Sequence, residues 1–204
     1  MLELLIVISV IAVLAVALVP AVGTFTKSVG RKGAVTNLLG VFEQARAEAI
    51  KSGLNTYVVF PTFTSGQKNT LDRYNYKSYA IFQDDPAQAS TPKQLTNWKT
   101  LPTGITLRKS LTSALVLPSA LSSSPTFSFS SDSTAAPTFY CAQFNSNGEM
   151  EMPASNATLM VFEGYIDSSG NEVATSAKNS GGQIIATGGL MISHLTGRAT
   201  YVNP

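Results

Sequence analysis

Hydrophobic residues divide the chain into three regimes. The first is continuous. From Leu4 to Thr26 no side chain carries a charge, and Leu4 to Val19 is Leu, Ile, Val and Ala with a single Ser. At about 1.5 Å per helical residue such a run spans roughly 35 Å, enough to cross a hydrocarbon core of about 30 Å. A buried core helix is the rival reading, but a small domain's core helix is normally apolar on one stripe only. A cleaved secretory signal is the other rival. It needs a basic segment ahead of the apolar run, and here Met1-Leu2-Glu3 precede it.

The second regime is amphipathic. Val35, Leu38, Phe42, Ala45 and Ala49 recur at three- and four-residue spacing, with Lys32, Asn37, Glu43, Gln44, Glu48 and Lys51 on the other faces. This predicts a helix with one stripe on a core, ended by Gly53. Pro20 is expected to kink it. Gly23, Gly30, Gly33 and Gly40 either weaken it locally or mark a break between two helices.

The third regime has strand periodicity. Thr56–Phe60, Tyr74–Phe82, Trp98–Leu101, Ile105–Leu107, Thr126–Ser130, Phe139–Phe144, Leu159–Ile166, Gln183–Thr187, Leu190–Leu195 and Ala199–Val202 read as short strands, about eight or nine after merging. Pro86–Lys93 and the Ser-rich Leu117–Pro137 read as loops. Asn145–Gly148 and Asp167–Glu172 read as turns, and Gly181-Gly182 and Gly188-Gly189 as bends or bulges. The fold class is α+β: a long N-terminal helix packed on a mostly antiparallel sheet domain. The expected divisions are 1–26 as membrane or filament helix, 27–53 as its amphipathic continuation, and 54–204 as the β domain.

Composition removes several function classes. Charged residues are 13% of the 204, with 14 basic against 12 acidic, so no basic stripe is available to neutralise phosphates and no nucleic-acid partner is expected. Hydroxyls replace charge: 23 Ser and 21 Thr suit an exported surface. Cys141 stands alone, which excludes an intramolecular disulfide and a cysteine metal cluster, and it reads as a small buried strand residue. His194 is the one histidine. Its neighbour Ser193 faces the opposite side of a strand, and no G-x-S-x-G elbow accompanies them. Glu149 and Glu151 read as solvated acids. The Asp167 loop falls short of a calcium loop in spacing and ligand number, although weak calcium binding stays open. Tyr74, Tyr76 and Tyr79, taken as exposed, offer a stacking surface or, more simply, packing. No enzyme, cofactor or metal is expected.

The run Leu2-Glu3-Leu4-Leu5-Ile6-Val7-Ile8-Ser9-Val10-Ile11, with Pro20 seventeen residues after Glu3, resembles the N-terminal helix of type IV pilins and type II secretion pseudopilins. The resemblance implies a basic leader ending in Gly, cut by a prepilin peptidase. It also implies that Glu3 meets a neighbouring subunit's N-terminal amine. Glu3 stands two residues early for that pattern, so the chain is expected to begin at an internal Met. Glu3, Leu4, Leu5 and Pro20 are thus the assembly motif. Lys27, Arg31 and Lys32 are the expected basic residues at the membrane interface. The stretch Phe42 to Gly53, with Arg46, Glu48 and Ala49, resembles the helix end of FimT/GspH-like minor pseudopilins. Tyr79–Phe82, Leu101–Gly104, Phe144–Gly148 and Leu195–Arg198 are similar to the pilin-like D protein of the Verru_Chthon cassette. The implied protein is a structural subunit of the inner membrane, its β domain periplasmic or extracellular, with other pilin subunits as partners. The alternative is an anchored β-domain binding module that does not polymerise.

Overall fold

The structure is a computed structural model. It describes residues 2–62, 74–109, 127, 138–152, 155–167, 169–175, 178–179, 181–182, 184 and 187–202; within these, the side chains of 2–5, 13–28, 89–90, 138 and 152 lie outside the description. The Leu117–Pro137 stretch and the Thr126–Ser130 strand therefore lie outside the described residues, except for Phe127.

One helix, α1, runs unbroken for 51 residues from Leu2 to Ser52, about 77 Å at the standard rise. The helical assignment passes through Pro20 and all four glycines, so these mark no break. Gly53 ends it as expected. Its φ of 72° is a left-handed conformation that costs a glycine little, and its amide bonds back to Ala49 O at 2.9 Å.

Eleven strands follow among the described residues: β1 Thr56–Thr62, β2 Ser78–Asp85, β3 Gln88–Gln94, β4 Lys99–Thr100, β5 Ile105–Leu107, β6 Thr138–Phe144, β7 Met150–Met152, β8 Ala157–Ile166, β9 Glu172–Ala174, β10 Thr187–Ile192 and β11 Ala199–Val202. The first sheet has the order β3-β2-β1-β6-β7, with β4 on β2. The second has the order β11-β10-β8-β5, with β9 on β8. Every pairing between named strands is antiparallel.

Helix α1 lies across both sheets. The predicted stripe Val35, Leu38, Phe42, Ala45 and Ala49 is buried, and it joins Val58, Phe60, Ile81, Leu107, Phe144, Val161 and Leu190 in one core. Strand alternation builds a second, smaller core on the opposite face of the first sheet. Tyr57, Val59, Ala80, Phe82 and Cys141 point there, and Phe127 from the Ser-rich stretch packs on them. Phe127 meets Phe82 at 5.0 Å, Phe139 at 5.4 Å and Tyr57 at 5.7 Å between ring centroids.

Several expectations are corrected. Pro86–Lys93 is mostly strand, because β3 pairs with β2 after a tight turn at Asp85–Gln88. It lies at the sheet edge, where Pro92 needs no ladder donor. The Tyr74–Phe82 strand begins only at Ser78, since Tyr74–Lys77 form a turn with Tyr76 at φ 54°. Tyr76 and Tyr79 are buried in the main core, each 6% exposed, so they are packing residues. The Trp98–Leu101 strand shrinks to Lys99–Thr100. Leu190–Leu195 ends at Ile192, which puts His194 in a turn rather than a strand. Of Gln183–Thr187, Thr187 starts β10 and Ile184 makes an isolated bridge to Lys178; the other residues of that run lie outside the described residues.

Gly188 and Gly189 are no bulge. They hold regular register with Val161 and Met160. Their use is close approach: Gly188 lies against Val35 and Arg31 of the helix, while a Cβ on Gly189 would stand 3.0 Å from the Leu159 carbonyl and inside the Met160 sulfur. Gly189→Ala should therefore destabilise the fold by about 1–3 kcal/mol through overpacking. Thermal unfolding checks this, and an unchanged midpoint would contradict it.

Burial also sets an alkaline limit. Desolvation, with the nearby Tyr140 adding to it, pushes Tyr76 up to about 12 from the usual 10.0. Desolvation and its bond to Asp84 push Tyr57 higher still. The unfolded phenols lose protons first as pH rises, so stability is full below about pH 10 and falls from there toward about pH 12. Tyrosinate absorbance should lag the ordinary tyrosine curve until the chain unfolds. A simple titration at the ordinary value for every tyrosine would contradict the burial.

Candidate assembly surface

Residues 6–12 of α1 are exposed, clear of the β domain. Ile6, Val7, Ile8, Val10 and Ile11 are each more than half exposed, and Ser9 turns its hydroxyl back to Ile6 O at 2.8 Å. Five branched aliphatics in six positions cover every side of nearly two helical turns. Contiguous exposed apolar surface of this kind marks a site for lipid or a protein partner. The side chains of Glu3, Leu4, Leu5, Pro20 and Lys27 lie outside the described residues, although their backbone belongs to the helix. Among the described residues no helix is long and apolar enough to cross a membrane. Most of the uncharged run lies outside that description.

The β domain grips the helix at two levels. At the first, Arg31 Nη1 donates to Glu163 Oε1 at 2.6 Å. Glu163 is buried in β8 and opposite Ile105 in register, and Ile105 lies beside Gly30. Arg31 is thus tied to the β domain, while Lys32 is exposed. The sequence signal for this pair is an acid inside the apolar run Leu159–Ile166, which the strand reading passed over.

At the second level, the Ala199 amide donates to Glu43 Oε1 at 3.2 Å, and Arg46 Nε donates to Gly148 O at 3.1 Å. Glu43 and Arg46 also pair with each other at 3.7 Å. Within the helix-end motif, Arg46 is therefore a staple to the Asn145–Gly148 turn. Ala49 is fully buried, and Glu48 pairs with Lys51 at 3.3 Å on the surface. Helix residues 43 to 49 are held by both sheets.

The remaining candidates are held within the fold. His194 Nδ1 donates to Met150 O, and the Met150 amide donates to His194 O at 3.0 Å, which joins β7 to the β10–β11 turn. Cys141 is buried in β6, and desolvation pushes its thiol up to about 12. Glu149 and Glu151 accept from Asn145 and Gln143 at 3.0 and 2.7 Å. Asp167 Oδ1 accepts from the Ser169 and Asn171 amides at 2.9 and 2.8 Å, shaping the β8–β9 turn and lowering its carboxyl below the usual range. No group of three or more acids, His or Cys suited to a metal occurs among the described residues. A cleft of about 520 Å³ opens between the Tyr74–Lys77 turn, the Thr100–Ile105 segment and the end of β8.

A long helix, apolar and exposed at residues 6–11 and docked by its second half on antiparallel sheets, is a pilin-like fold. The model of the type II transport protein GspH family matches residues 34–181, more than half of the chain, and the protein belongs to that family. Among solved structures, the type IV minor pilin FimU of Pseudomonas aeruginosa is 14% identical, with a TM-score of 0.45, covering 88% of this chain and 92% of that one. The minor pseudopilin EpsH of the Vibrio cholerae Type 2 Secretion System is 14% identical, with a TM-score of 0.43, covering 85% and 97%. No curated protein matches the sequence.

Proposed function

We propose that the protein is a minor pseudopilin or pilin subunit anchored in the inner membrane by residues 1–26. Residues 27–53 continue the helix as its docking half, and residues 54–204 form the β domain on the periplasmic or outer face. The subunit enters a secretion pseudopilus or pilus-like filament through its N-terminal helix. The observation that carries this reading is the exposed apolar surface of Ile6 to Ile11 in a chain of the GspH family. That surface is stable only in lipid or against other apolar helices. Glu3 supplies the charge partner for a neighbour's N-terminal amine. Lys27 and Lys32 sit at the headgroup level, and Arg31 holds the β domain there. The role is structural, and no reaction is proposed.

The test is expression of the gene, with the sequence upstream of Met1, in cells with and without prepilin peptidase. A mass decrease only in cells that have the peptidase is expected, with the product in the membrane fraction. Glu3→Ala should leave membrane insertion intact and abolish recovery in sheared filaments. Processing without the peptidase, or filaments from Glu3→Ala, would overturn the reading.

A further inference from the structure

The cleft lies at the end of the β domain nearest the bilayer. Register places it there. Gly188 sits against Val35 and Arg31, whereas Ala199, the partner of Ile192, meets Glu43. From Gly188 to Ile192 a strand rises about 13 Å, and from Val35 to Glu43 a helix rises about 12 Å. β10 therefore runs along α1, and its antiparallel neighbour β8 runs back toward the helix N-terminus. Ile166 lies about 10 Å beyond the Glu163–Arg31 pair in that direction. This brings it level with roughly residues 24 to 25, the last turn of the uncharged run. Tyr165, which is 46% exposed, is at this level and lines the cleft.

Among the described residues, the acids near this end are engaged: Glu163 with Arg31, Glu172 with Arg108, and Asp167 within its own turn. Lys77 lines the cleft and makes no ion pair among the described residues, and Lys99 is exposed one residue from the lining Thr100. Tyr74, Thr103 and Thr175 add a ring and two hydroxyls to the cleft wall. A partly apolar cleft with one cation and tyrosines at headgroup depth matches the chemistry of the bilayer interface.

We propose that this cleft seats the phosphate of an anionic phospholipid headgroup, with Lys77 as its charge partner and Tyr74 and Tyr165 beside it. The inference rests on the membrane anchoring proposed above. The bound lipid holds the β domain down on the membrane before the subunit joins a filament.

The test uses the full chain reconstituted in phosphatidylcholine bilayers with and without phosphatidylglycerol. Retained lipid is counted by native mass spectrometry, and carbonate extraction is run alongside. Wild type should retain phosphatidylglycerol over phosphatidylcholine. Lys77→Gln should lower that retention about five-fold, the equivalent of about 1 kcal/mol per basic residue at the surface. Lys77→Arg should restore it, and Lys93→Gln, on the edge strand β3 outside the cleft lining, should leave it unchanged. Equal displacement by millimolar inorganic phosphate would identify a free-phosphate site and overturn the lipid assignment. Full retention by Lys77→Gln in a chain that resists carbonate overturns the cleft proposal alone, and loss of self-association without loss of lipid assigns the cleft to a neighbouring subunit instead. A wild-type chain extracted by carbonate would overturn the anchoring itself, and the lipid site with it.

Discussion

Phe42→Ala should cost the fold about 3–5 kcal/mol, the range for removing a fully buried aromatic ring. Phe42 is 0% exposed. Its ring meets Phe60 and Phe144 at 6.2 Å each, tilted to the first and edge-on to the second. Those two residues come from β1 and β6, in the middle of the first sheet, so the ring ties the helix to that sheet. Small neighbours such as Ala45 and Ala49 hold the backbones in place and leave little for the cavity to collapse onto. Urea unfolding of the full chain in mild detergent measures the effect. Val29→Ala is the comparison, since Val29 is 54% exposed and its truncation should shift stability by no more than about 0.5 kcal/mol. Equal effects from the two variants would mean that the helix does not dock through this stripe.

Arg31→Ala should be the most damaging charge removal, at about 3 kcal/mol. The Arg31 side chain is 20% exposed and that of Glu163 only 8%. Truncating the arginine leaves a carboxylate inside the helix–sheet junction with no cation to answer it. Replacing both partners by apolar residues, Arg31→Met with Glu163→Leu, should recover most of the loss, because a buried pair costs much of its attraction in desolvation. The same denaturation experiment reads both variants. A double variant as unstable as the single one would mean that the uncompensated carboxylate is not the source of the loss.

These two residues also show what the sequence made legible. The apolar stripe that carries Phe42 is written in three- and four-residue spacing, and every predicted member is buried. Local chemistry likewise placed Gly53 at the helix end. Long-range partners were not legible. Nothing near Arg31 in the chain names Glu163, which is 132 positions away, and its place just after the uncharged run assigned Arg31 to the membrane interface. β3 was missed because an edge strand of Gln, Ala, Ser, Thr and Pro lacks alternation; its pairing comes from β2. Packing was the simpler reading of the tyrosines and it holds for Tyr76 and Tyr79, but the strand start was misplaced because strand propensity cannot say that Tyr74–Lys77 is a turn whose Tyr76 ring folds into the core. Gly188-Gly189 read as a bend, whereas their reason is the closeness of Met160 and α1, a tertiary fact.

We propose that subunits meet through the exposed apolar helix, a contact that site-directed cross-linking can capture. Ile8→Cys is introduced with Cys141→Ala, although the native thiol, buried and pushed up to about 12, is already a poor reactant. Ile8 is 56% exposed, so a cysteine there is accessible to a neighbour's helix. In cells with the full assembly machinery, oxidation should give a disulfide-linked dimer that vanishes with Glu3→Ala. A processed, membrane-bound chain that stays monomeric at Ile8→Cys, while Tyr201→Cys on the β domain cross-links freely, would contradict helix-mediated assembly.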